Sequence, residues 1–210
     1  TQIQSTLEEK PGTWLIGTMN QLYRYKFNSG KFDKIRLGNT GPDLVLSYLF
    51  KDKNNSCWVG TQNKGVFYRP PGESDFISFN PLPNDSKSFL QNWITSFCED
   101  KAGNIWIGTY SSGGKINSLS YFDPHTKRLT PMNRLTSDST VFSGIAISQI
   151  EKDSSSLWIG TLDMGLFRYP LTDGIAKQTG FTNYSEKSKA PHKISHDVVL
   201  CVHPAKNGMI

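Results

Sequence analysis

His192 and His196 stand four residues apart, the spacing at which two imidazoles can share a metal ion on one helical face. The stretch around them argues against that use. It holds Pro191 and the lysines Lys187, Lys189 and Lys193, and it lacks the glutamate of a His-Glu-x-x-His helix. No metal and no other cofactor is expected. Cys57, Cys98 and Cys201 fall in stretches that read as strands and show no Cys-x-x-Cys spacing, so they read as small buried apolar residues. No Gly-x-Ser-x-Gly turn and no phosphate loop occurs. Carboxylates are plentiful, but nothing in their spacing pairs two of them for glycosidase chemistry. No catalytic residue is assigned, and this segment reads as non-enzymatic.

Recognition is the chemistry left. Arg36, Asn63, Lys64, Tyr110, Arg134, Asp163 and Lys189 mix charge, amide and aromatic character, as binding a sugar or a peptide requires. They lie in stretches where otherwise repeated segments differ, which are the loops. The chain has 210 residues and a net charge of +5, which reads first as lysines scattered over the surface; the functional alternative is a mildly positive surface for an acidic ligand such as a sulfated or uronic-acid sugar. No run of five or six basic residues and no nucleic-acid-binding motif appears, so direct nucleic-acid binding is not expected.

What positions these residues is a repeat. Trp-x-Gly-Thr occurs at Trp58-Val59-Gly60-Thr61, Trp106-Ile107-Gly108-Thr109 and Trp158-Ile159-Gly160-Thr161, with a looser copy at Trp14-Leu15-Ile16-Gly17-Thr18. The Gly-Thr pairs begin at 17, 60, 108 and 160, so the spacings are 43, 48 and 52 residues. Each copy is preceded by an apolar run ending in acid, as at Asp52, Asp100 and Asp153. Each is followed by an aromatic strand and then a short final strand, for example Val66-Phe67-Tyr68 and residues 76–79. Four short antiparallel strands in about 45 residues make one blade of a β-propeller. The expected fold is all-β: a β-propeller segment of four four-stranded antiparallel blades plus the first strand of a fifth. The expected repeats are 1–40, 41–85, 86–138, 139–193 and the start of a fifth at 194–210.

Residues identical in every repeat read as scaffold: Trp58, Gly60, Thr61, Trp106, Gly108, Thr109, Trp158, Gly160 and Thr161. Trp is expected to fill the wedge between neighbouring blades, Gly to permit close approach, and Thr to bond a backbone group in the next turn. The acids are expected to make Asx-type turns. In the first repeat Leu15 takes the usual Trp place and Trp14 points to the opposite face, because strand faces alternate. An insertion falls around residues 111–117 of the third repeat. The variable loops are expected to share one rim. No signal peptide and no membrane span is evident, and the chain begins without Met inside a strand pattern, which reads as a segment of something longer.

The stretch Asp100-Lys101-Ala102-Gly103-Asn104-Ile105-Trp106-Ile107-Gly108-Thr109 resembles the two-component regulator propeller repeat, and so do residues 157–169. The resemblance implies a fragment of a seven-bladed propeller in the periplasmic sensor region of a hybrid two-component histidine kinase. The kinase would stand elsewhere in a membrane-anchored parent chain. It further implies an oligosaccharide ligand derived from polysaccharide and control of glycan-utilisation genes. Two other classes stay open: a propeller enzyme acting on glycans (lyase or glycosidase) and a protein-binding scaffold. Unpaired blade edges predict a homodimer or other association.

Overall fold

The computed structural model describes residues 2–38, 44–79, 93–110, 118–132, 142–171 and 180–205. Among them, sixteen strands form four four-stranded antiparallel sheets, each in sequence order. The first sheet is β1 (Ile3–Lys10), β2 (Thr13–Thr18), β3 (Leu22–Lys26) and β4 (Lys31–Ile35). The second is β5 (Leu46–Lys51), β6 (Cys57–Thr61), β7 (Val66–Arg69) and β8 (Ile77–Phe79). The third is β9 (Trp93–Glu99), β10 (Ile105–Tyr110), β11 (Leu119–Asp123) and β12 (Arg128–Pro131). The fourth is β13 (Ile147–Lys152), β14 (Ser156–Thr161), β15 (Leu166–Pro170) and β16 (Thr182–Tyr184). A 3-10 turn at Phe27–Ser29 joins β3 to β4. Four consecutive four-stranded meanders are the blades of a β-propeller, and the fold is all-β.

The chain divides into two compact units, Thr1–Ile94 and Thr95–Ile210. In the first unit the sheets share an apolar core of Leu15, Leu22, Leu46, Leu49, Val59 and Phe67, among others. Alternation along each strand selects these residues. Leu15 pairs across β2 and β3 with Arg24, and Val59 pairs across β6 and β7 with Phe67. Leu15 is fully buried, while Trp14 next to it is 37% exposed, as the alternation requires. In the second unit the core gathers Trp106, Leu119, Ile147, Ile150, Ile159 and Phe167.

Serine hydroxyls tie the first strands of successive sheets together within each unit. Ser5 Oγ on β1 accepts from Leu49 N on β5 at 3.1 Å, and Ser96 Oγ on β9 accepts from Ile150 N on β13 at 2.9 Å. The same device reaches the segment after the fourth sheet, where Ser148 Oγ donates to Val199 O. Val199 and Val202 then meet the space over Gly160 much as Ile147 and Ile150 meet the space over Gly108. Residues 198–202 therefore dock where a fifth blade's first strand would lie. They join no ladder among the described residues. This corrects the expectation for Cys201. It is exposed and outside any strand, because half of a strand's cover comes from a hairpin partner, and no such partner stands beside this segment among the described residues. Cys57 and Cys98 are buried thiols, and burial pushes Cys98 up to about 12.

Candidate functional site

The repeated residues form one local device. Asp52 Oδ1 accepts from the backbone N of Asn54 and Ser56 at 3.0 and 2.9 Å, closing the turn between β5 and β6. Its other oxygen accepts from Trp58 Nε1 at 3.0 Å. Asp100 does the same for Asn104 N and Trp106 Nε1, both at 2.9 Å. Asp153 serves Ser155 N, Ser156 N and Trp158 Nε1 at 2.6, 2.7 and 2.8 Å. The Asx turn was legible in the sequence; the indole bond was not. For Asp153, burial raises the carboxyl's pKa, but the Trp158 indole and the backbone donors outweigh it and hold the group below its ordinary 3.8.

The indoles are packed accordingly. Trp58 lies against Tyr68 and Phe79 of its own sheet, with centroids at 4.4 and 5.0 Å. Trp106 meets Tyr121 of its own sheet at 5.3 Å and Tyr169 of the following sheet at 5.8 Å. Trp106 thus reaches the following sheet, as filling the wedge between blades requires, and Trp58 stacks on the outer strands of its own sheet. The threonines close the next turn. Thr61 Oγ1 donates to Gly65 O at 2.8 Å and accepts from Lys64 N at 2.8 Å. Thr161 Oγ1 does likewise with Gly165 O and Met164 N at 2.7 and 2.9 Å. These polar atoms are taken up by the scaffold.

The first repeat departs from this device, and the departure makes a site. Glu9 is the next-to-last residue of β1, where Asp52 follows β5, and Leu15 offers it no indole N–H. Arg24 instead donates Nε and Nη2 to the two Glu9 oxygens at 2.8 and 3.0 Å. Arg69 Nη2 from β7 also bonds Glu9 Oε1. Glu9 and Arg69 side chains are only 10% and 8% exposed. Burial raises the Glu9 pKa, but the hydrogen bond from Arg24 and the charge and hydrogen bond of Arg69 prevail and hold it below its ordinary 4.5. Arg69 is fixed further by Cys57 Sγ at 3.1 Å from its Nη2 and by the Phe76 ring, whose centroid lies 4.9 Å from its Cζ.

Around this triad opens a polar cleft of about 480 Å³ lined by Glu9, Lys10, Thr13, Arg24, Lys26, Arg69, Gly72 and Glu73. The strands explain its place. Leu22, Arg24 and Lys26 alternate onto one face of β3, running from buried core to open solvent. Phe67 and Arg69 likewise share one face of β7, both of them buried. The cleft is where the apolar core between the first two sheets gives way to their polar ends.

This is not the rim that the sequence singled out. The cleft sits at the β1–β2 and β7–β8 turns, whereas the candidate residues sit at the other end of their strands. Arg36 follows β4 and is exposed. Asn63 and Lys64 share the turn between β6 and β7, and Asn63 Oδ1 accepts from Val45 N at 3.4 Å, tying that turn to the crossing between the first two blades. Tyr110 closes β10 and is half-buried. Asp163 is exposed in the β14–β15 turn, and Lys189 is exposed in the loop after β16, where its carbonyl accepts from His192 N at 2.9 Å. Arg134 and the insertion at 111–117 lie outside the described residues. His192 packs edge-on to Tyr184 at 5.1 Å, and His196 Nδ1 accepts from Val198 N at 3.1 Å. Among the described residues no group of three metal-ligating side chains gathers.

Comparison with known proteins bears on the repeat itself. Residues 88–111, which bracket the Asp100–Trp106 device, match the model of the two component regulator propeller. The chain carries a two component regulator propeller repeat. Solved structures share the fold. The extracellular domain of BT4673 from B. thetaiotaomicron superposes with a TM-score of 0.75 at 22% identity, over 99% of this chain and 26% of that one. That of BT3049 from the same organism gives 0.65 at 23% identity, over 91% and 24%. Virginiamycin B lyase from Staphylococcus aureus gives 0.60 at 15% identity, over 90% and 57%. The chain thus spans about a quarter of the length of the first two. No curated protein matches it.

Proposed function

We propose that this chain is a ligand-sensing segment of an extracytoplasmic propeller in a hybrid two-component histidine kinase. The observation that carries the reading is the match of residues 88–111 to the two component regulator propeller. BT4673 and BT3049, described as extracellular domains of such systems, support it. The repeated Trp, Asp and Thr atoms are committed to holding each blade, so recognition falls to what varies between blades. The ligand in this reading is an oligosaccharide released from a polysaccharide. The place is the periplasm, the kinase lies elsewhere in the parent chain, and the output is transcription of glycan-utilisation genes. Ligand binding biases an equilibrium between two arrangements of the sensor by the difference in its affinity for them.

A glycan lyase or glycosidase on the same fold would consume the ligand. The full ectodomain is therefore incubated with a panel of plant and host oligosaccharides while melting temperature and reducing ends are both followed. A rise in melting temperature with intact sugar is the expected result. New reducing ends or unsaturated products would overturn the sensor reading, and so would a panel that leaves the melt unmoved.

A further inference from the structure

We propose that the cleft between the first two sheets is a binding site for one acidic sugar residue, a uronate, within a longer glycan. It rests on the sensor reading for the ligand being a saccharide; its charge and place come from the cleft. The volume of about 480 Å³ falls in the range of small-ligand sites, about 300–1,000 Å³. Four cationic side chains line it, Lys10, Arg24, Lys26 and Arg69, against the carboxylates of Glu9 and Glu73.

Glu9 is not available to repel an anion, because Arg24 and Arg69 already hold it. One carboxylate between two guanidinium groups leaves a net positive wall, and the bonds to Glu9, Cys57 and Phe76 fix that wall before any ligand arrives. Arg24 directs Nε and Nη2 to Glu9, which leaves Nη1 to donate. Such preorganised donors avoid the ordering cost of binding. Lys10 and Lys26 add charge at the mouth. Lys26 pairs with Asp33 at 3.1 Å, but both side chains are about half exposed, and a solvated pair of this kind exchanges partners at little cost. Thr13 and Glu73 supply acceptors for hydroxyl groups. Donors in excess, an anion-sized positive wall and a few hydroxyl acceptors together select a polyhydroxylated carboxylate. Gly72, at φ 83° with open space over its Cα, keeps one lip low, so a chain can enter and leave.

The test is calorimetric titration of the whole chain at low salt with a galacturonate trimer, a neutral galactose trimer and inorganic sulfate. The acidic trimer is expected to bind. Lys10→Ala with Lys26→Ala, both at exposed positions, is expected to weaken it about fivefold or more, and added salt to weaken it further. Equal binding of the neutral trimer, unchanged in the double variant, would overturn this site while leaving the sensor reading standing. Sulfate competing as well as the trimer would reduce the cleft to a plain anion trap and overturn the sugar assignment. Absence of heat up to about 10 mM trimer would overturn it as well.

Discussion

The acid six or five residues ahead of each motif tryptophan links two parts of its blade. A carboxylate that closes a turn and also accepts an indole N–H joins local structure to core packing through one side chain. Trp106→Phe keeps most of the ring's contacts with Tyr121 and Tyr169 and loses only the bond to Asp100. It should cost about 1–3 kcal/mol, the range for a hydrogen bond to a charged group plus a small void. Asp100→Ala also orphans Asn104 N and should cost more, about 2–4 kcal/mol. Urea denaturation of both variants measures this, and changes under about 0.5 kcal/mol would remove the bond from any stabilising role. Acid should act on the same class of groups. Glu9 and Asp153 are held below their ordinary values of 4.5 and 3.8, so each contributes stability that is full above that value and lost as pH falls through the depressed folded one. Melting temperature should therefore fall on acidification below about pH 4.5, and Glu9→Gln should flatten the first part of that fall. An acid-side profile identical in Glu9→Gln would show that the triad contributes nothing through ionisation.

At the scale of strands and sheets, the motif glycines separate into two kinds. Gly108 faces the next sheet of its unit: a Cβ there would stand 2.8 Å from Ile147 Cγ2 and 3.1 Å from Ile150 Cδ1. At Gly17 the nearest atoms are Ser5 O at 3.5 Å and Leu49 at 3.6 Å, ordinary contact. Gly108→Ala should cost about 1–3 kcal/mol by overpacking, while Gly17→Ala should be near neutral. Equal effects in thermal denaturation would refute the idea that Gly108 exists for close approach between sheets. The strands themselves were legible, because period-two alternation and the Trp-x-Gly-Thr motif mark the second strand and an aromatic run marks the third. The cleft was not. Its triad joins residues 9, 24 and 69, from three strands of two sheets, and the sequence records no pattern at such separations. Glu9 does carry a faint signal, since it stands six before Leu15 as Asp52 stands six before Trp58. Cys201 shows the opposite failure: an apolar run reads as a buried strand whether or not a ladder partner is there to cover it.

For the molecule as a whole, one exposed sheet face bears on how the chain should behave in solution. On the second sheet, Cys57, Val59 and Phe67 point into the core shared with Leu15 and Leu22 of the first. The matching positions of the first sheet are Trp14, Ile16, Tyr23 and Tyr25, with Phe32 beside Tyr25 across β3 and β4. Nothing among the described residues buries them comparably: Trp14 is 37% and Phe32 60% exposed. Tyr25 and Phe32 are in ring contact at 4.6 Å, so the face is a contiguous aromatic patch built to the plan of an inter-sheet surface. Patches of this kind are rare on monomers and drive association. For this chain on its own we propose a second copy as the occupant, since the chain itself carries sheets of the kind that fit such a face. Sedimentation velocity across a concentration series should therefore show reversible self-association. Trp14→Ser with Phe32→Ser should shift it to monomer without loss of the β-sheet spectrum. Those two positions lie on the face away from Leu15 and Leu22, so the core should tolerate the change. A wild-type chain that stays monomeric at every concentration would refute the association, and a double variant that still associates would move it to another surface.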